Sequence, residues 1–444
     1  MNFALINLLL VNNYLHLKIS KKEIQTLAYG AFASFGAYFC MYAFRKPFTV
    51  ATFENLSLWG IDYKIILIIA QVLGYMLSKF IGIKVISELT ANKRIYYLIS
   101  LILLAECSLT LFAVVPPPYN FIFMFLNGLP LGIIWGIVFS YLEGRKFTEI
   151  LGVALCSSFI VSSGIVKSVG LLVMNNWYVS QFWMPAVTGA LFVLPFVFFA
   201  WLLNKMPMPT EEDKRLKTER RPMSGKDRRK VFFNFFFPII ILVVFYTLLT
   251  AFRDFRDNFS REIWDTLGFS GNASVYTLSE VPVAILVLVV IGLLGLIKSN
   301  YKAFMSYHYI LISGAVITGI STLLFQTQLI SPMLWMISVG FGLYICYVPF
   351  NCIFFDRMIA TFRIKGNAGY FIYVADAFGY LGSMTVLLYK NFGQPNLSWL
   401  KFFINSSYFI SVTGIIISIL SLIYFKKKYK KENNNIHPKI ILEL

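Results

Sequence analysis

Apolar residues run along this chain in long blocks separated by short polar breaks, a rhythm set by the thickness of a bilayer. A membrane-crossing helix needs about 20 consecutive, mostly apolar residues. Twelve blocks reach that length, near 24–47, 62–86, 95–115, 119–142, 149–173, 182–203, 231–254, 273–297, 304–325, 329–353, 366–390 and 402–425. Each predicts a transmembrane helix, so the fold class expected is all-α and integral to the membrane. One break is much longer than the others: NKMPMPTEEDKRLKTERRPMSGKDRRK, residues 204–230, follows the sixth block. It divides the chain into two six-helix halves, 24–203 and 231–425, with a leader at 1–23 and a basic tail at 426–444. Two such halves joined on one side of the membrane predict a parallel repeat about an axis along the membrane normal, with a substrate site near the midplane between them.

Composition agrees with the block pattern. Of 444 residues, 58% are hydrophobic and only 14% charged, far from the usage of a soluble domain. The net charge of +18 suggests nucleic acid until its placement is considered. Lys18, Lys21, Lys22, Lys84, Lys93, Arg94, Arg145, Lys146, Lys298, Lys302, Arg357, Arg363 and Lys365, with the central loop and the KKKYKK tail, fall on one side, whereas the breaks at 116–118, 174–181 and 326–328 hold no basic residue. By the positive-inside rule both termini are cytoplasmic, in a bacterial inner membrane. No basic stretch outside the spans is interleaved with stacking aromatics, so a nucleic-acid partner is not expected. The first seventeen residues lack a basic start and a small-residue cleavage site, which reads as a surface leader and not a removable signal. The five cysteines all fall in apolar blocks without CxxC spacing, so neither disulfide nor metal is expected. HExxH, GxSxG and Walker patterns are missing, which argues against an enzyme, a bound cofactor or an ATP-driven pump.

The charged residues inside the blocks carry the candidate chemistry. An arginine at mid-span costs about 2.5–3.5 kcal/mol on insertion scales, so such residues face a bundle interior, a cavity or a partner. Arg45 ends the first block in MYAFRKPF, and Arg253 lies at a matching depth in the seventh, 208 positions later. Arg45 could instead snorkel to the surface, but its repetition in the second half favours an inward role. Asp254, Arg256 and Asp257 follow Arg253. Asp257 is four residues on, placed to neutralise Arg253 on one helix face, which leaves Arg256 as an alternative reader of substrate. Two guanidiniums converging from opposite halves suit a compact anion, since each planar fork can grip carboxylate or phosphate bidentately. Gly128, Gly132 and Gly136 leave one face of the fourth helix bare for close approach, and Gly340, with Gly342 and Pro349, marks the tenth helix for close packing or bending.

With these motifs in hand, the chain resembles the major facilitator superfamily, and within it the organophosphate:inorganic phosphate antiporter branch. YAFRKPF with AQVLGYMLSKFIG is similar to that branch's first two helices, FYTLLTAFRDF to its seventh, and KGNAGYFIYVADAFGYLGS to its eleventh. The resemblance implies that Arg45 and Arg253 bind phosphate and that Lys79 faces the pore, with Arg256 still in contention because the spacing to the next Asp differs by one residue. It departs in helix five, where the branch carries a substrate histidine and this chain has Ser157, Ser158, Ser162, Ser163 and Lys167. The long motifs also resemble a bacterial membrane family labelled as a domain of unknown function. The superfamily's arrangement sets helix two against eleven and five against eight. It implies two cross-half ion pairs, Lys79 with Asp376 toward the cytoplasm and Lys167 with Glu280 toward the outside, serving as gates or as static structural pairs.

The function expected is therefore secondary active transport of a small organic or phosphorylated anion by alternating access. Both antiport and proton symport fit, with Glu280, Asp376 or Asp257 as proton carrier in the latter. The alternative is a transporter-like sensor that binds a small ligand and signals without flux. The partners expected are the anion and the lipid bilayer, and the chain is expected to act as a monomer.

Overall fold

The computed structural model describes residues 20–142, 147–208, 236–295, 299–362, 368–394 and 396–441, with the isolated positions 145, 210, 213, 233 and 297. The leader through residue 19, most of the 204–230 loop, and Lys146, Lys298, Arg363 and Lys365 lie outside the described residues.

Twelve long helices occur among the described residues, one for each apolar block. They are α1 Lys21–Tyr42, α2 Tyr63–Glu88, α3 Arg94–Val114, α4 Phe121–Leu142, α5 Thr148–Trp177 and α6 Met184–Asn204, then α7 Phe236–Asn258, α8 Ser274–Gly295, α9 Asn300–Gln326, α10 Pro332–Cys352, α11 Ala368–Leu388 and α12 Trp399–Ile441. Ten of them are long and apolar enough to cross a membrane. α1 is more mixed, because tyrosine, glycine and serine dilute its apolar residues. The protein is an all-α, multi-pass membrane protein. Because successive helices alternate in direction, both ends of the described chain lie on one face, here the terminal face, and the α1–α2 and α7–α8 connections lie on the opposite face.

Local chemistry sets the helix limits. Ser20 and Glu23 form a reciprocal capping box at the start of α1, Asp62 caps α2, and Ser331 caps α10 with Pro332 following. α1 stops at Tyr42, and the chain passes through a turn at 43–46 into a single 3-10 turn, Pro47–Val50. Pro47 has no N–H to continue a helical ladder, so the α1 block is helical only up to the residues that carry Arg45 and Lys46. α12 runs on through the basic segment that the sequence reads as a tail, with Tyr429 stacked on Tyr301 of α9 at 3.8 Å between ring centroids. Two short helices, 260–266 and 354–361, and a two-residue hairpin pairing Ser57 with Asp62 were not predicted.

α1 to α6 pack among themselves, and so do α7 to α12; the two groups meet through α5 against α8, α2 against α11 and α5 against α10. Glycines permit the tightest of these approaches. A Cβ at Gly132 of α4 would fall 2.7 Å from the Ser78 Cβ of α2, and one at Gly164 of α5 would fall 2.8 Å from the Glu280 Cβ of α8. Gly136 is buried in α4. At Gly340 the neighbours are the Arg256 guanidinium, 2.8 Å from an added Cβ, and Val283. Gly340 therefore makes room for a side chain, and the helix-to-helix approach in α10 belongs to Gly342, against the Gly314 carbonyl of α9 at 2.6 Å.

Candidate functional site

Between the two helix groups lies a set of charges that are all less than a tenth exposed: Arg45, Lys46, Lys79, Lys167, Arg253 and Arg256 against Asp254, Asp257, Glu280 and Asp376. Six cations thus face four carboxylates, in surroundings where an unpaired charge is costly. How they pair determines what the region can bind.

Arg253 pairs with its own neighbour. Its Nη2 and Nε reach Asp254 Oδ1 at 2.7 and 3.2 Å, Nη1 donates to the Tyr347 hydroxyl, and Ser383 donates to Asp254 Oδ2 at 2.8 Å. The pairing of Arg253 with Asp257 expected from their spacing does not occur. Asp254 already answers Arg253 from the adjacent position, and Asp257 is taken instead by two lysines of the first helix group. It accepts from Lys46 at 2.5 Å and from Lys167 and Ser163, while Lys46 also donates to Asn258 Oδ1 at 2.8 Å. The expected Lys167–Glu280 pair is likewise absent. Glu280 is taken by Arg256 at 2.6 Å, and the second Arg256 nitrogen donates to the Met336 carbonyl at 3.1 Å. Arg256 is therefore committed within α7, α8 and α10. Lys79 Nζ lies 3.1 Å from Asp376 Oδ2, joining α2 to α11, and Asp376 Oδ1 accepts from Tyr246 at 2.5 Å.

Arg45 differs from the rest. It makes no ion pair among the described residues; its Nε, like that of Arg256, is buried without a hydrogen-bond partner, and its guanidinium carbon sits 3.8 Å from the centre of the Tyr75 ring. Tyr380 of α11 gathers the cations: Arg45, Arg253 and Lys79 all lie within 6.0 Å of its ring centre. Two excess charges remain after pairing, Arg45 and one of the two lysines that share Asp257.

On the opposite face the closure is reinforced by Lys64 with Glu262 at 2.5 Å and by Arg261, which bonds Asp265 at 2.6 Å and reaches the Val50 carbonyl at 3.4 Å. Burial disfavours the Arg261 charge, but the hydrogen bond and charge of Asp265 outweigh it and raise its affinity for the proton. On the terminal face Arg357 meets Glu149 at 2.9 Å. A recess of about 510 Å³ lies elsewhere, on the outer flank between α7, α11 and α12, lined by Phe252, Phe255, Phe402 and Phe409.

Sequence reading passed over two residues of this region, Gln71 and Asn127. The Gln71 amide donates to the Arg45 carbonyl at 3.0 Å and to Asn127 Oδ1 at 2.8 Å, and the Asn127 amide donates to the Phe44 and Ala105 carbonyls at 3.1 Å each. Their signal was present as two amides within apolar blocks.

A family of unknown function (DUF5690) matches residues 47–428, most of the chain. The protein belongs to the DUF5690 family. No curated protein matches this DUF5690 chain. Among solved structures it is similar to a D-xylose-proton symporter, with a TM-score of 0.59, 14% identity and coverage of 90% of this chain and 97% of that one. It is also similar to the nucleoside transporter NupG (0.58, 13%, 90% and 99%) and to a bacterial homologue of the human drug peptide transporters PepT1 and PepT2 (0.57, 13%, 91% and 99%). At such identities the likeness shows the fold, and the DUF5690 chain has the fold of the major facilitator superfamily.

Proposed function

We propose that this protein is a secondary transporter of a small organic or phosphorylated anion, working by alternating access with both termini cytoplasmic. The observation that carries the reading is Arg45, a guanidinium buried at the junction of the two helix groups without a carboxylate partner among the described residues. A buried cation lacking a counter-charge is costly, and an anion held between Arg45, Lys79 and Arg253 would offset that cost. Tyr75, Tyr347 and Tyr380 would orient it. The planar forks of Arg45 and Arg253 favour carboxylate or phosphate over a spherical ion, and the resemblance to the organophosphate antiporter branch points the same way. Arg256, tied to Glu280 and the Met336 carbonyl and not among the cations gathered around Tyr380, is the weaker reader.

Two ties between the helix groups serve as gates in this reading: Lys79 with Asp376 toward the terminal face, and Asp257 with Lys46 and Lys167 toward the opposite face. An anion that binds beside Arg45 and Arg253 competes for these cations. It binds the closed and open states unequally, as a ligand must in order to shift them.

The test is uptake of labelled phosphate, phosphate esters and carboxylates into proteoliposomes preloaded with phosphate. Wild type is expected to take up at least one of these anions, and Arg45→Lys to take it up with a KM raised about tenfold or more by the loss of the bidentate fork. Equal flux in the variant would remove Arg45 from the site, and no flux with any anion would overturn the transport reading.

A further inference from the structure

We infer that Gln71 and Asn127, seated beside Gly128, form a clamp that fixes Arg45 and makes them positioning residues of the anion site, an inference that rests on the reading just proposed.

The need for a clamp follows from the way α1 ends. The last carbonyls of any helix lack intrahelical donors, and inside a bilayer each unmet carbonyl costs several kcal/mol. The backbone amides of 43 to 46 still point back to the carbonyls of Cys40, Met41 and Tyr42, so the segment keeps its own donors satisfied. The carbonyls of Phe44 and Arg45 are met by the two amide side chains, at 3.1 and 3.0 Å. The amides are also joined to each other at 2.8 Å, and Asn127 reaches the Ala105 carbonyl of α3. All four amide hydrogens of the pair are therefore used, and both residues are buried, at 3% and 0% exposure. No spare hydrogen-bond donor remains to let the segment slip.

The same stretch of α2 holds the other end of Arg45. Tyr75, one turn beyond Gln71, stacks on its guanidinium at 3.8 Å. α2 thus grips Arg45 by its carbonyl through residue 71 and by its charge through residue 75. α4 braces that grip, because Gly128 has no Cβ; an added one would lie 2.9 Å from the Tyr75 nitrogen and 3.1 Å from the Gln71 carbonyl carbon. Glycine at 128 and the amide at 127 act at one point on α2. The arrangement gives a binding arginine a preset reach, which lowers the ordering cost when an anion arrives.

The experiment uses the full-length protein in two arms. In proteoliposomes, phosphate uptake is compared for wild type, Gln71→Met, Arg45→Lys and the double variant. Methionine keeps the shape of glutamine but loses both donors. Gln71→Met is expected to raise KM about tenfold while kcat changes little, as for the loss of one hydrogen bond that orients a charged group. Added to Arg45→Lys it is expected to raise KM no further, because the two act through one contact. A lower kcat at unchanged KM, or effects that multiply, would overturn the positioning role.

The second arm needs no ligand. Hydrogen exchange of the amides at 43–46 and 48–50 is read in detergent for wild type, Gln71→Met and Asn127→Leu. Slow exchange in wild type, and exchange faster by about tenfold in both variants with α8 to α10 unchanged, is expected for the loss of such bonds. Fast exchange in wild type, or unchanged exchange in a variant, would overturn the clamp itself. Faster exchange in the variants with no phosphate uptake by wild type would leave the clamp standing and overturn its role in phosphate binding. The two failures are therefore distinguishable, and where a variant does not fold, fast exchange in wild type still overturns the clamp.

Discussion

At the scale of single residues, Asp257 has the heaviest task, answering two lysines from the other helix group at once. Asp257→Asn leaves two buried cations without a carboxylate, a change that costs about 3–5 kcal/mol when one partner of a buried pair is removed. The expected outcome is a clear fall in thermal unfolding temperature in detergent, partly recovered by adding Lys167→Met; no fall would show that Asp257 does not compensate the lysines. The charges themselves were legible in the sequence, because arginine or lysine in an apolar block is conspicuous, and Arg45 and Arg253 share a depth in their halves. Their partners were not legible. Which carboxylate a cation meets depends on helix rotation about its axis, which block length does not fix, so Lys167 was matched to Glu280 when Asp257 takes it. Gln71 and Asn127 were passed over for a different reason: a neutral amide in a span has no visible purpose until the carbonyl it answers has been placed.

At the scale of elements, bare glycine faces set the distances between helices. Gly132→Val is expected to force α4 away from Ser78 of α2 and to destabilise the protein by about 1–3 kcal/mol, the usual range for overpacking. Gly295→Val, at a position with nothing within 4 Å of an added Cβ, should leave the unfolding temperature nearly unchanged. Equal unfolding temperatures for the two variants would contradict the packing assigned to α2 and α4. The twelve long helices were legible because a bilayer sets a minimum apolar length for each of them. The break in α1 was only half legible: Pro47 announced an end, but the helix stops at Tyr42, before the charged residues. The short helices 260–266 and 354–361 escaped because each is a turn or two long, directly after a long helix, and too short for a hydrophobic block to reveal.

At the scale of the whole molecule, two six-helix groups joined by cross-group ion pairs account for the closed arrangement around Arg45. If Lys79 and Asp376 form a working gate, the Lys79→Ala and Asp376→Ala double variant should transport at a rate clearly different from wild type. An unchanged rate would reduce the pair to static structure. The central claim is narrower than transport itself: an anion binds where Arg45 stands without a carboxylate. The most direct measurement is equilibrium binding of labelled phosphate, phosphate esters and carboxylates to the purified protein, for wild type, Arg45→Lys and Lys390→Met. Lys390 is a buried cation that stacks on Trp399 at 4.4 Å, away from Tyr380, so its loss tests for general charge effects. Saturable binding of one of these anions, weakened about tenfold or more in Arg45→Lys by the loss of its bidentate fork and unchanged in Lys390→Met, is the result predicted. Binding of equal strength in wild type and Arg45→Lys, or none to wild type, would contradict it.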